Sequence, residues 1–165
     1  FMNAGGYGSE CRDVLISATC VTATGEVKTY HVEELSLGYR SSRFEEHDEL
    51  ILSATFALKT GDGVAIRAAM DDFMSRRVEK QPLEYPSAGS TFKRYEGRFT
   101  AQLIDESGLK GYRCGGAMVS EKHAGFVINY DHATSADIFA VIQKVQDTIY
   151  EREGIRIQRE VRIIE

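Results

Sequence analysis

Apolar residues follow two different rhythms along this chain, and the change of rhythm divides it. Val14 to Thr24 and Glu26 to Val32 are apolar, β-branched runs joined around Gly25, which predicts a β-hairpin. A further strand is predicted from Leu50 to Leu58. Lys59-Thr60-Gly61-Asp62-Gly63 then breaks the pattern, and Ile66, Ala69, Met70, Phe73 and Met74 follow at the spacing of one helical face. That helix should stop before Pro82. Its Met and Phe stripe has the make-up of a cofactor box, but packing against a core is the expected role. The break marks a boundary, with residues 1–60 and 61–165 as candidate domains.

In the second part a short helix is expected from Phe99 to Glu106, closed by Gly108, with strand or loop-strand segments at Val119 and at Gly125 to Tyr130. Thr134, with Asp137 three residues on, reads as the N-cap of a helix carrying Ile138, Val141, Ile142, Val145 and Ile149 on one face. Such a face must dock on a sheet. Gly154 ends the helix, and Ile155, Ile157, Val161 and Ile163 then alternate with Arg156, Gln158, Glu160 and Arg162, which predicts a half-buried strand. The polar side of that strand is either a solvated face of paired charges or a working surface. The fold class expected is α+β.

With 165 residues, 42% hydrophobic and 27% charged, the chain has the make-up of an ordinary globular domain. A net charge of -5 gives no reason to expect a nucleic-acid partner. Cys11, Cys20 and Cys114 are odd in number and lack zinc-ligand spacing, so no disulfide framework or metal is expected and a reducing, cytoplasmic setting is. No apolar run is long enough to span a bilayer, so no membrane partner is expected. The chain opens on Phe1 and not on methionine, which raises the expectation of a segment before it.

Two loops concentrate polar chemistry. In Tyr85-Pro86-Ser87-Ala88-Gly89-Ser90-Thr91-Phe92-Lys93, Pro86 stiffens the backbone and Gly89 frees it, so Ser90 is either a placed hydroxyl or part of a surface turn. Leu37-Gly38-Tyr39-Arg40-Ser41-Ser42-Arg43-Phe44 sets two arginines near two aromatic rings, or is a solvated connector. Arg76, Arg77 and Lys80 lie where cations favour a helix C-terminus.

Several separated segments, in order, resemble one family. They are Met2-Asn3-Ala4-Gly5-Gly6-Tyr7-Gly8-Ser9-Glu10, Gly38 to Phe44, Lys80-Gln81-Pro82-Leu83, Pro86 to Arg94, Gly108-Leu109-Lys110-Gly111, Gly115 to Phe126, and Glu160-Val161-Arg162. Together they are similar to the UDP-N-acetylenolpyruvoylglucosamine reductases of bacterial cell-wall synthesis. The resemblance implies an enzyme that uses NADPH and FAD to reduce the enolpyruvyl ether of a UDP-sugar to UDP-N-acetylmuramate.

By position in the family's motifs, Ser90 would be the proton donor, with Glu160 and Arg40 completing the catalytic set. Tyr39, Lys80, Arg94, His123 and Arg162 would surround the substrate, whose diphosphate and carboxylate call for cationic donors. Asn3, Ala4, Gly5, Gly6, Tyr7 and Gly8 resemble part of the flavin-binding region. The fold implied is the remnant of a mainly antiparallel flavin-binding domain (1–60) before an α+β two-layer substrate-binding domain (61–165), with the family's N-terminal FAD-binding domain missing. The short connection from Arg40 to Lys80 has no room for the extra loop of one branch, which favours the type II branch. Arg159 and Glu165 stand where the family usually has proline and glycine. The alternative is a UDP-sugar or nucleotide-binding module without redox activity.

Overall fold

A computed structural model describes residues 1–95 and 98–164; Glu165 lies outside them. The chain divides into two compact units, Phe1–Met70 and Asp71–Glu165. It is α+β, with antiparallel sheets throughout.

The first unit opens with a small hairpin of β1 (Gly5–Gly6) and β2 (Ser9–Glu10). A three-stranded sheet follows, with β3 (Leu15–Thr22) central between β4 (Val27–His31) and β5 (Glu49–Phe56). The expected hairpin turn forms around Gly25, whose φ of 83° lies in the left-handed region that glycine enters without strain. Beneath the sheet Ala18, Cys20, Leu35 and Phe44 form a small core. Beside it Tyr30 donates to Glu49 Oε1 at 2.8 Å, a bond that pushes the phenol's pKa up, and Arg43 lies over the Tyr30 ring at 3.8 Å.

Helix α1 (Gly63–Lys80) ends before Pro82 as its sequence requires, but its apolar stripe is not core. No residue of α1 is buried, and Met70 and Met74 are 57% and 56% exposed. Periodicity identifies an apolar face without saying what covers it, and the described residues do not bury this one.

The second unit is built on α3 (Ser135–Glu153), packed against a three-stranded sheet of β6 (Arg113–Cys114), β7 (Ala117–Val119) and β8 (Val127–Asn129), with α2 (Thr100–Glu106) alongside. Val141, Ile142, Val145 and Ile149 of the predicted face are buried and Ile138 is half-buried. The helix begins in a reciprocal cap: Asp137 N–H donates to Thr134 Oγ1 at 3.2 Å, and Thr134 N–H donates to Asp137 Oδ2 at 2.9 Å. The Thr134 amide, then its hydroxyl and the Gly116 amide, hold the Asp137 carboxyl below its usual pKa. Replacing Thr134 by alanine should cost about 1 kcal/mol, measured as a lower urea midpoint. An unchanged midpoint would show that the cap adds nothing.

After Gly154, whose left-handed φ of 70° closes α3, the predicted strand does not form. The tail makes one antiparallel bridge, Phe92 to Arg159, flanked by Lys93 N–H to Gln158 C=O at 2.9 Å and Glu160 N–H to Thr91 C=O at 2.8 Å. Ile157 is buried, Ile155 and Val161 are partly buried against the core, and Ile163 is exposed. The alternation marks an inward side correctly, but the tail's neighbour is the turn after Pro86, which offers too few groups for a ladder.

Candidate functional site

The turn that carries Ser90 is held on both sides. Asn129 N–H donates to Pro86 C=O at 2.9 Å, and Ser87 bridges Ile128, tying the front of the turn to β8. Gly89 takes a φ of 84°, and Ser90 emerges exposed just after it. Thr91 is buried, at 3% exposure. Its amide donates to Gly125 C=O at 2.8 Å and its hydroxyl oxygen accepts Val127 N–H at 3.0 Å, while its carbonyl accepts from Glu160 as above. Ser90 and Glu160 therefore lie on neighbouring backbones, joined through one residue. Sequence reasoning singled out Ser90 and passed over Thr91, since a threonine in a turn gives no signal of burial.

His123 joins the same network. Its Nδ1 accepts Gly125 N–H at 3.1 Å, so the neutral ring carries its proton on Nε2. Burial of the ring is the main cause of a pKa below the usual histidine value, and the nearby Lys110 pushes the same way. Phe126 packs edge-on to the ring at 4.9 Å. At neutral pH His123 is thus a hydrogen-bond donor without charge.

The other candidates of this unit are dispersed. Arg94 lies over the Phe99 ring at 4.8 Å, Arg162 is exposed on the tail, and Lys80 is the exposed last residue of α1. Two cations escaped the sequence reading. Lys122 donates to Val78 C=O at 2.8 Å, satisfying a carbonyl at the end of α1, and Arg113 lies 4.0 Å over Tyr130, itself 5.5 Å from Tyr85. Behind the turn is a cavity of about 730 Å³ whose lining includes Ile138, Phe139, Val161 and Ile163. Thr91 and the candidate Arg162 share its wall, whereas Ser90 and Glu160 do not line it.

In the first unit the candidates form their own cluster. Asn3 is buried with both ends of its amide engaged: Nδ2 donates to Gly38 C=O at 3.0 Å and Oδ1 accepts Arg12 N–H at 3.0 Å. It fastens the glycine hairpin to the Arg40 loop. Ala4, Gly5, Gly6, Tyr7 and Gly8 are all exposed, and nothing lies within 4 Å of where a Cβ on Gly6 or Gly8 would sit. Arg40 Nη2 donates to Gly5 C=O at 3.2 Å, and its guanidinium lies 5.2 Å from the Tyr39 ring. Asn3, Tyr7 and Arg40 all have positive φ, at 44°, 54° and 53°. Non-glycine residues held there store strain, and three around one small hairpin mark a backbone shaped for more than connection. Of the two arginines in the loop, Arg40 faces the glycines and Arg43 serves the sheet.

Residues 81–164 match the family described as UDP-N-acetylenolpyruvoylglucosamine reductase, C-terminal domain. The chain belongs to this family. It is 51% identical over 164 residues to the UDP-N-acetylenolpyruvoylglucosamine reductase of Levilactobacillus brevis, covering 99% of this chain and 54% of that protein. The Lactobacillus delbrueckii subsp. bulgaricus reductase is 52% identical, with 99% and 55% covered. The chain thus spans about half the length of the curated relatives it matches. The crystal structure of the UDP-N-acetylenolpyruvylglucosamine reductase from Thermus caldophilus aligns with a TM-score of 0.84 at 30% identity, covering 98% of this chain and 57% of that one. The reductase family's C-terminal domain therefore takes in the whole network of Ser90, Thr91, His123 and Glu160.

Proposed function

We propose that this chain contributes the proton donor and part of the substrate pocket of a reductase that converts UDP-N-acetylglucosamine enolpyruvate to UDP-N-acetylmuramate in peptidoglycan precursor synthesis. The observation that carries the reading is the junction at Thr91, which sets the exposed Ser90 beside Glu160. In this reading residues 1–60 are the latter part of a second flavin-binding domain and residues 61–165 the substrate domain. The rest of the flavin site comes from the segment corresponding to the relatives' N-terminal half. NADPH and a UDP-sugar as reactants support a cytoplasmic setting, and the short connection between Arg40 and Lys80 supports the type II branch.

The first unit suits part of a flavin seat. The exposed backbone of Gly6 and Gly8 leaves room for close approach, with Tyr7 between them at the tip of the hairpin and Ala4 and Gly5 leading up to it. Asn3 shapes this lip from beneath, because its side chain is spent within the chain. When bound, FAD supplies a hydride taken from NADPH.

This chain's residues deal with the charge that the hydride creates. Addition at C3 of the enolpyruvyl group leaves a carbanion at C2, conjugated with the carboxylate as an enolate. Glu160 assists stabilisation or protonation of this carbanion, and Arg40 is assigned, by its place in the family's motif, to offset the growing negative charge. Ser90 Oγ gives its proton to C2. A hydroxyl is a weak acid, but the enolate is a strong base, so the transfer runs downhill. His123 Nε2, Tyr39, Lys80, Arg94 and Arg162 are assigned to the substrate's polar groups.

The reading is tested with the full-length protein carrying this chain. It should show flavin absorption bands and consume NADPH only when the enolpyruvyl UDP-sugar is added. Flavin bands without substrate-dependent consumption would overturn it. The chain's half-length match gives a second reading its footing: a UDP-sugar-binding module without redox activity. A 165-residue chain that binds the UDP-sugar while showing no flavin bands after FAD addition is the outcome that favours this second reading.

A further inference from the structure

The tail that carries Glu160 is tied to the rest of its unit at identifiable points. Among the described residues two backbone hydrogen bonds join it to the turn after Pro86, one at Gln158 and one at Glu160 itself. A third rung comes from a side chain on another element: Gln146 Nε2, on α3, donates to Ile157 C=O at 2.9 Å. Ile157 is buried at 3% exposure, so its carbonyl leaves a fixed point, and the next residue begins the pairing with the turn. The three rungs run in order from Ile157 through Gln158 to Glu160. The outer two can be removed only by changing the backbone, whereas the first depends on one amide group.

We infer that Gln146 is a positioning residue, fixing the register of the tail so that Glu160 meets the turn beside Ser90. Gln146 touches none of the reacting groups. It acts through the Ile157 carbonyl, and on a segment that is not a sheet strand one lost rung loosens all that follows. Its functional consequence rests on the role proposed above for Glu160, but its structural consequence does not.

Three variants of the full-length, flavin-loaded protein decide the matter. Gln146→Met keeps the length and loses the donor, Gln146→Lys keeps a donor, and Glu160→Gln reports on Glu160 directly. In Gln146→Met the Glu160 amide should exchange its hydrogen about fivefold to tenfold faster, the worth of one hydrogen bond, while the buried amides of α3 keep their rates. Reoxidation of the flavin by substrate should slow about tenfold to a hundredfold, with its reduction by NADPH unchanged. Gln146→Lys should recover both. Unchanged exchange at Glu160, or acceleration of all α3 amides together, would overturn the positioning role. So would Gln146→Lys behaving like Gln146→Met. If Glu160→Gln leaves turnover intact, the catalytic reading of Glu160 falls, and exchange at Glu160 still decides whether Gln146 sets the tail.

Discussion

Ser90→Ala should slow reoxidation of the reduced flavin by the enolpyruvyl substrate about 100-fold to 10,000-fold, the range expected for loss of a general acid. Flavin reduction by NADPH should stay nearly normal. The separation follows from what each step needs, because a proton reaches C2 only after hydride has reached C3. The structure makes the variant clean. Ser90 is exposed, and the bonds that hold the turn belong to Pro86, Ser87, Thr91 and Gly125, so stability should change by no more than about 0.5 kcal/mol. Gly89 keeps its left-handed backbone in the variant, and the bend survives. Stopped-flow absorbance of the full-length protein reads both half-reactions. An unchanged oxidative phase would remove Ser90 from the mechanism, whereas a fall in both phases together would point to damage at the flavin.

The parts of this fold legible in the sequence are those decided locally. Thr134, Asp137 and the apolar spacing from Ile138 to Ile149 carry the start and inner face of α3, because a cap and a helical period are both set within a few residues. The stripe of α1 is equally periodic without being core, since the same spacing describes a face whether or not the described residues cover it. The tail after Gly154 failed for a related reason: alternation fixes which side turns inward, but a strand also needs a neighbour with free groups at the right repeat. At the site, resemblance pointed to Ser90, His123 and Glu160 one by one, but a motif match says nothing of the bonds between them. Thr91 and Gln146, which place those residues, belong to long-range contacts that no local pattern announces. The positive φ of Arg40 was equally invisible, because strain at a non-glycine residue is imposed by its surroundings.

Gly116→Ala should be the most damaging single methyl in the second unit. A Cβ at this position would stand 2.0 Å from Asp131 O, 2.5 Å from Ala133 N and 2.7 Å from Ala133 Cα. All three are backbone atoms, so no rotamer change can make room. The same glycine carbonyl accepts Tyr130 N–H at 2.9 Å and Asp131 N–H at 3.0 Å, which draws β7 onto the loop that leads into α3. Relief of the clash must break that junction, and a loss of more than about 4 kcal/mol is expected, seen as a collapse of the thermal midpoint. Gly115→Ala is the control. Its φ is 52° and its Cβ would meet the Asp137 carboxylate at 2.2 Å, but a side chain can swing away. That variant should lose about 1 kcal/mol for the cap and about 1–2 kcal/mol for the left-handed backbone, leaving a folded protein. Damage at Gly116 also reaches the site: β7 pairs with β8, and Val127 of β8 donates to Thr91. Activity in Gly116→Ala should therefore fall in proportion to the folded fraction, with both half-reactions affected alike, the opposite of the split expected for Ser90→Ala. A Gly116→Ala protein that melts within a couple of degrees of the parent would show that β7 and the loop before α3 are not in this close contact.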